Sequence, residues 1–236
     1  MAKSYNVKYS SGVEAPQTLT DHPFYGFELD EEQIAFRDAI WNPEKLIVFC
    51  NARAGTGKTF IATATANLLV QYGRYDGIVY ISSPTQEQKL GFLPGEIEDK
   101  TAVYSEPFIE ALIKLSINPH TAVNQYNITN QKNGTGYIDA ITHVYLRGRN
   151  FENKVVILDE TQNYYCDELK KTLTRMADSC KVIVIGHSGQ IDLYHNPGNS
   201  GFVRYLEHFK DDSRTAVCEL HKNYRGWISS HADELE

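Results

Sequence analysis

The stretch from residue 46 to residue 61, LIVFCNARAGTGKTFI, constrains the fold of this chain more than any other feature. An apolar run of strand composition stops at Asn51, a loop of small residues follows, and Lys58 and Thr59 open a segment of helical composition. A phosphate-binding loop needs this order of strand, glycine loop and helix, because loop N–H groups and the positive end of the helix then both face the phosphates. The sequence therefore predicts a triphosphate site here.

Each residue of this loop has an expected role. Gly55 and Gly57 allow backbone angles and a close approach that a Cβ would block. Lys58 is expected to reach the β and γ phosphates, and the Thr59 hydroxyl to bind Mg²⁺. The usual pattern has glycine where Ala52 stands, and we interpret this alanine as a tolerated variant. The predicted nucleotide-binding residues of the loop are Ala54, Gly55, Thr56, Gly57, Lys58, Thr59 and Phe60.

A second motif, KVVILDETQN at residues 154–163, predicts the other half of the site. Its apolar run places Asp159 and Glu160 at the C-terminal end of a buried strand, where doubly wound sheets bind ligands. Asp159 is expected to hold Mg²⁺ through the water shell of the ion. Glu160 is expected to orient and deprotonate an attacking water.

Four further side chains are weaker candidates. Gln33 follows Asp30 at capping-box spacing and is either a solvated helix residue or a reader of the adenine edge. Gln190 ends a third apolar strand and is placed to sense a γ-phosphate or the attacking water. Arg225 either reaches a phosphate, of its own site or a neighbour's, or is solvated. His187, taken alone, is more often a satisfied or solvated histidine than a catalyst.

Composition limits the class of protein. The chain has 236 residues, of which 42% are apolar, and no apolar run approaches the ~20 residues that span a bilayer. The first residues lack the apolar centre of a secretory signal, and four cysteines without CxxC spacing suit the reducing cytoplasm. A net charge of −7 argues against a broadly basic nucleic-acid surface, although it leaves room for a local groove. We therefore expect a cytoplasmic protein without a membrane partner.

The alternation of strand and helix patterns predicts an α/β fold with a mostly parallel sheet flanked by helices. Residues 1–28 are polar with scattered aromatics and predict an N-terminal arm, and residues 29–236 predict a single domain. Residues 118–140 interrupt the pattern with Asn, Gln, Thr and Gly and carry the turn signal Lys132-Asn133-Gly134. We interpret this stretch as a small, β-rich inserted ribbon.

Five segments together resemble the PhoH-like family of phosphate-starvation-inducible ATPases: NARAGTGKT, LGFLPGEIEDK, LRGR, VVILDETQN and GHSGQID, in this order. The resemblance covers residues 29–236, and the GFLPG and LRGR segments are its family-specific parts. It implies a RecA-like P-loop core, hydrolysis of ATP with Mg²⁺ and ring-shaped homo-oligomers such as hexamers. It also implies a link to RNA unwinding or RNA turnover, with single-stranded RNA as the candidate partner. By position, it implies that Lys58 and Thr59 are the phosphate-loop pair and that Asp159 and Glu160 are the metal-binding and general-base acids. It also implies that Gln33 is the adenine-side glutamine and Gln190 the γ-phosphate sensor. Arg225 matches the family only loosely.

Two positions depart from the family pattern. His187 stands where the family usually has aspartate, and Ser83 stands where it usually has an arginine before proline. These residues help to couple nucleotide state to motion or polymer, so the departures bear on helicase coupling more than on ATP binding. They suit a divergent, bacteriophage-type member.

Three function classes follow. The chain has room for one RecA-type lobe, and a lone lobe needs an arginine in trans for fast hydrolysis, with Arg147, Arg149 or Arg225 as candidates. The leading hypothesis is thus an oligomeric ATPase acting on RNA or another polymer. A nucleotide or small-molecule kinase is the second, although residues 118–140 are a poor arginine lid. A slow, ATP-regulated binding protein is the third, and His187 favours it slightly.

Overall fold

A computed structural model describes residues 14–83, 105–126, 128–146, 148–191 and 200–232. The described helices are α1 (Glu31–Trp41), α2 (Lys58–Gln71), α3 (Glu106–Lys114), α4 (Pro119–Ala122), α5 (Ile128–Asn133), α6 (Cys166–Leu173), α7 (Gly201–Phe209) and α8 (Trp227–Ala232). The strands are β1 (Ile47–Ala52), β2 (Ile78–Ser82), β3 (Ile138–Thr142), β4 (Val155–Asp159), β5 (Lys181–Gly186) and β6 (Thr215–Leu220). The LGFLPG segment and Arg147 lie outside the described residues.

The described strands form one parallel sheet in the order β3-β2-β4-β5-β1-β6. Its central strands β4 and β5 are buried along their whole length, as the apolar sequences of both predict. The predicted α/β class, with a parallel sheet and flanking helices, is confirmed. The sheet register brings the ends of the strands level, pairing Asn51 with Gly186 and Ser82 with Asp159. The chemistry-bearing motifs therefore meet at one edge.

Helices cover both faces of the sheet. Alternate residues of β1 point to opposite faces: Val48 and Cys50 join a cluster with α1, α2 and α3, and Ile47 and Phe49 join one with α6 and α7. Helix α2 is buried from Ile61 to Val70, because α1 and α3 pack against its outer sides. Over the residues described, none of the helices is long and apolar enough to span a bilayer.

The described part of the predicted arm packs onto the domain. Leu19 and Phe24 are fully buried in the cluster that contains α1 and α2. The Trp41 indole Nε1 donates a hydrogen bond to the carbonyl of Pro16 at 3.1 Å. Residues 14–28 thus extend the core that holds the nucleotide-loop helix in place.

The predicted ribbon at residues 118–140 is wrong. The segment forms α4, a 3-10 turn at Asn124–Tyr126 and α5 before it enters β3. Asn118 caps α4 by accepting a hydrogen bond from the His120 N–H at 3.0 Å, and Gly134, with φ +57°, follows the end of α5 instead of turning a hairpin.

The polar residues of this segment serve the edge of the sheet. The Gln125 side-chain oxygen accepts a hydrogen bond from the Ala140 N–H of β3 at 2.9 Å. Side-chain amides of Asn124 and Gln125 both donate to the Asp139 carboxylate at 3.1 Å. The polar side chains of this segment therefore bind polar groups that the edge strand would otherwise expose to water.

Candidate active site

The loop between β1 and α2 has the shape of a phosphate cradle. Gly55 and Gly57 have φ of +79° and +84°, in the left-handed region that glycine enters at no steric cost. The Thr56 hydroxyl donates to the Arg53 carbonyl at 3.0 Å and closes the loop on itself. Helix α2 begins at Lys58 without a side-chain cap, so the N–H groups of its first turn are available to an anion.

Two other parts of the chain brace this loop. The Gln33 Nε2 of α1 donates to the carbonyl of Thr56 at 3.0 Å. The N–H of Tyr224, which follows β6, donates to the carbonyl of Gly55 at 2.8 Å. The Tyr224 hydroxyl also donates to Asp30 at the start of α1, at 2.5 Å. The cradle is consequently preformed by contacts from both ends of the domain.

Gly55→Ala is expected to distort this cradle. A Cβ at Gly55 would lie 2.5 Å from the Asn223 Oδ1, and that side chain is held by the Arg225 N–H at 2.8 Å and by Ser229 at 2.9 Å. Left-handed alanine costs a further 1–2 kcal/mol or so. We expect nucleotide affinity to fall by about tenfold or more, because the loop must shift. Titration with a fluorescent ATP analogue measures it.

Gly73→Ala is the matched control for this substitution. Gly73 has a similar φ of +69°, but a Cβ added there would meet nothing within 4 Å. The control therefore carries the backbone strain without the collision. Equal nucleotide affinities in the two variants would contradict the collision with Asn223 as the cause of the loss.

The acidic motif meets the loop directly. Asp159 ends β4 with 1% of its surface exposed, and its Oδ2 accepts hydrogen bonds from the Thr59 and Tyr80 hydroxyls, both at 2.9 Å. Its Oδ1 accepts from the Glu160 N–H at 2.8 Å. Burial raises the pKa of the Asp159 carboxyl to about 6, and the Glu160 charge adds to the rise while Lys58 opposes it. A buried carboxylate in this position favours a nearby cation.

These residues fit a magnesium ion. A threonine hydroxyl and a carboxylate are hard oxygen ligands of the kind that Mg²⁺ takes, together with waters and substrate phosphates. Within the described ranges, no three His, Cys, Asp or Glu side chains cluster as a metal site. Thr59 and Asp159 are the residues that would hold the magnesium ion.

Glu160 is held in an unusual conformation. Its φ is +52°, in the left-handed region that non-glycine residues rarely adopt, and such strain concentrates at functional sites. Its Oε2 accepts a hydrogen bond from the Gln162 Nε2 at 2.6 Å, and the Gln162 Oε1 accepts from the His187 N–H at 3.1 Å. Gln162 thus links the acidic motif to the loop after β5. We did not predict this role from the sequence, although a glutamine two residues after Glu160 at a strand end was a usable signal.

The loop after β5 forms the remaining wall. It turns back on itself as the Gln190 N–H donates to the His187 carbonyl at 3.2 Å, and both residues line the cleft. Gly186 leaves no room for a side chain, since a Cβ there would lie 2.8 Å from the Thr161 Oγ1. The third motif is therefore packed tightly against the second.

A cleft of about 690 Å³ brings the predicted residues together. Thr56 and Asp159 are buried and are not among the residues that line it. Phe27, from the predicted arm, and Phe60 both line the cleft, with their ring centroids 4.8 Å apart. Arg149 is not among the lining residues. The predicted residues on the cleft surface are Gln33, Ala54, Gly55, Gly57, Lys58, Thr59, Phe60, Glu160, Gln190 and Arg225.

Gln33 makes one contact that its sequence position predicted and one that it did not, and its burial contradicts the solvated alternative. It is 7% exposed, its Nε2 donates to Thr56, and its Oε1 accepts from the Asp30 N–H at 3.3 Å. The capping box with Asp30 is confirmed. The reading of adenine by Gln33 stays a prediction, and its contacts make it a brace for the phosphate loop.

The parallel sheet carries a glycine cradle that faces two acidic residues, Asp159, which is buried, and Glu160, which lines the cleft. This arrangement places the chain in the class of P-loop proteins. The family model described as "PhoH-like protein" matches residues 28–225, and the chain belongs to the PhoH family.

Relatives from bacteria support the assignment. Protein PhoH of Escherichia coli K12 is 34% identical over 194 residues, covering 82% of this chain and 52% of that protein. A PhoH-like protein of Synechocystis is 34% identical over 178 residues, covering 75% and 51%. Protein PhoH2 of Bacillus subtilis is 31% identical over 186 residues, covering 78% and 41%. The chain thus spans about half the length of the relatives it matches, or less.

Two solved structures are similar at low identity. The Hef helicase domain of Pyrococcus furiosus matches with a TM-score of 0.45 and 15% identity, covering 79% of this chain and 37% of that one. The SWI2/SNF2 ATPase core of Sulfolobus solfataricus, solved in complex with double-stranded DNA, matches with a TM-score of 0.49 and 16% identity, covering 86% and 46%.

Proposed function

We propose that this chain binds ATP with Mg²⁺ and hydrolyses it, in the cytoplasm, as a homo-oligomeric ATPase that remodels or unwinds RNA. One observation carries the hydrolytic part. The hydrogen bond of 2.9 Å from Thr59 to Asp159 joins the phosphate loop to the acidic motif inside the cleft that Glu160 also lines.

The residues of the cleft have separate tasks in this proposal. The loop amides and Lys58 bind the β and γ phosphates, and the uncapped start of α2 adds its positive end. When bound, Mg²⁺ supplies positive charge against the charge that develops on the transferred phosphoryl group. Glu160 accepts the proton of the attacking water, and Gln190 orients that water or the γ-phosphate.

In this proposal, the oligomer adds an arginine from a neighbouring subunit to the one that lines the chain's own cleft. Fast phosphoryl transfer uses an arginine against the transition-state charge, often from a neighbouring subunit. Arg225 lines the cleft of its own chain, from the segment that also braces Gly55. We propose that Arg225 serves its own site, and that Arg147 and Arg149 are the candidates to serve a neighbour's.

Measured ATPase rates with and without single-stranded RNA, alongside the native mass by light scattering, test this function. We expect a Mg²⁺-dependent rate that rises with RNA, from an oligomer with the mass of a ring such as a hexamer. Full activity from a monomer would contradict the need for a neighbour's arginine. Phosphate transfer to an added nucleoside would instead indicate a kinase, and tight binding with a rate near background would indicate a slow, ATP-regulated binding protein.

A further inference from the structure

Tyr80 lies in the core beneath the predicted metal site. It is in the middle of β2 with 1% of its surface exposed, and its hydroxyl donates to the Asp159 Oδ2 at 2.9 Å. Strand β2 pairs with β4 on one side and β3 on the other, so its backbone is fixed from both sides. Nothing in the sequence distinguishes position 80, because a tyrosine in an apolar strand resembles any core aromatic.

The ring of Tyr80 is clamped. It stacks on Phe108 of α3 with ring centroids 4.4 Å apart and an angle of 16° between the planes. Phe108 is fully buried, and α3 packs along α2, the helix that begins with Lys58. The core thus sets the position of the Tyr80 hydroxyl independently of any ligand in the cleft.

The two hydroxyl groups that donate to the Asp159 Oδ2, those of Thr59 and Tyr80, differ in whether a ligand in the cleft can reach them. Thr59 lines the cleft and is itself a predicted ligand of the ion, so its hydrogen bond is the one that a bound cation would alter. Tyr80 is buried, is not among the residues that line the cleft, and has no such second task. A buried carboxylate costs free energy unless donors satisfy it, and of the two hydroxyl donors to Oδ2, Tyr80 is the one that can stay when a cation binds.

We propose that Tyr80 is a positioning residue for the divalent cation: its hydroxyl, clamped by Phe108, holds the Asp159 carboxylate in the orientation that receives Mg²⁺. This inference rests on the proposed function, since it needs a metal–nucleotide complex in the cleft. Hydrogen bonds to the ligands of a metal commonly change its affinity by about 10–100-fold when they are removed.

Tyr80→Phe removes this hydroxyl and keeps the ring. Tyr164→Phe is the matched control, because Tyr164 is also fully buried, and its hydroxyl donates to the Ile81 carbonyl at 3.5 Å and not to Asp159. The readout is Mn²⁺ binding in the presence of ADP, followed by electron paramagnetic resonance. We expect Tyr80→Phe to weaken Mn²⁺ binding about tenfold. Tyr164→Phe should bind Mn²⁺ like the unaltered protein, and ADP binding without metal should be equal in all three proteins.

The outcomes separate this inference from the function beneath it. Unchanged Mn²⁺ affinity in Tyr80→Phe, or an equal loss in Tyr164→Phe, would overturn the role of Tyr80 and leave the ATPase proposal standing. An unaltered protein that binds neither ADP nor Mn²⁺–ADP would overturn both. Should Tyr80→Phe fail to fold, Phe108→Leu loosens the clamp and keeps the hydroxyl, and it should weaken Mn²⁺ binding in the same direction; unchanged binding there would also overturn the role.

Discussion

Lys58→Ala is expected to abolish ATP binding at ordinary concentrations, with a loss of affinity of roughly a hundredfold or more. Lys58 is the first residue of α2, and its side chain lines the cleft. Removing the ammonium takes away positive charge that offsets the repulsion between the phosphates and the carboxylates of Asp159 and Glu160. Truncating one partner of a desolvated charge pair costs about 2–5 kcal/mol, which sets the size of this loss.

Calorimetric titration with ATP and Mg²⁺ measures this loss, and Lys171→Ala is its control. Lys171 is exposed on α6, with 68% of its side chain accessible, and it pairs with Asp167. The same truncation there should leave ATP affinity unchanged. If Lys58→Ala bound ATP within about threefold of the unaltered protein while retaining its fold by circular dichroism, the phosphate loop assignment would be wrong.

The nucleotide motifs were predictable from sequence because their chemistry is local. Three features follow one another directly along the chain: the strand that ends at Ala52, the glycines at positions 55 and 57, and the helix that starts at Lys58. The loop has left-handed φ angles at both positions, and glycine is the residue that adopts such angles most readily, so its presence there predicts them. Apolar strands likewise place Asp159 at a strand end, and an all-parallel sheet brings such ends to one edge.

The contacts that tune the site were not predictable, because they join residues distant in sequence. The sequence position of Gln33 is compatible with base reading and with solvent exposure, whereas its contact with Thr56 depends on how α1 lies against the loop. Tyr80 reaches Asp159 only because β2 and β4 are neighbours in the sheet.

The prediction for residues 118–140 failed for a related reason. The polar composition of this segment reflects hydrogen bonds to the edge strand β3, such as that from Ala140 to Gln125, and not the solvent exposure of a hairpin. A pattern of short polar side chains fits a ribbon and an edge-covering helix equally well when the neighbouring strand is unknown. The local signals that did survive were the Asn118 cap and the glycine after α5.

Glu160→Gln is expected to keep nucleotide binding and to lower the hydrolysis rate by about 10²–10⁴-fold, the usual contribution of a general base. The amide retains an oxygen that can accept the hydrogen bond from the Gln162 Nε2, now 2.6 Å from the carboxylate, so the local structure should persist. The change also removes the negative charge that helps to raise the pKa of Asp159, which eases the burial of that carboxylate beside the metal. Binding should therefore be unchanged or slightly tighter.

Single-turnover hydrolysis, with enzyme in excess over ATP, separates the chemical step from product release in this variant. Glu152→Gln is the control, because Glu152 is exposed near the opposite end of β4 and undergoes the same chemical change. The two variants should bind ATP alike and differ only in the rate of cleavage. Turnover within about threefold of the unaltered protein would assign the base to another group, since loss of a general base costs at least about 10²-fold. Loss of both ATP binding and turnover would instead indicate that Glu160 maintains the shape of the cleft. Its left-handed φ of +52° would then reflect that structural role.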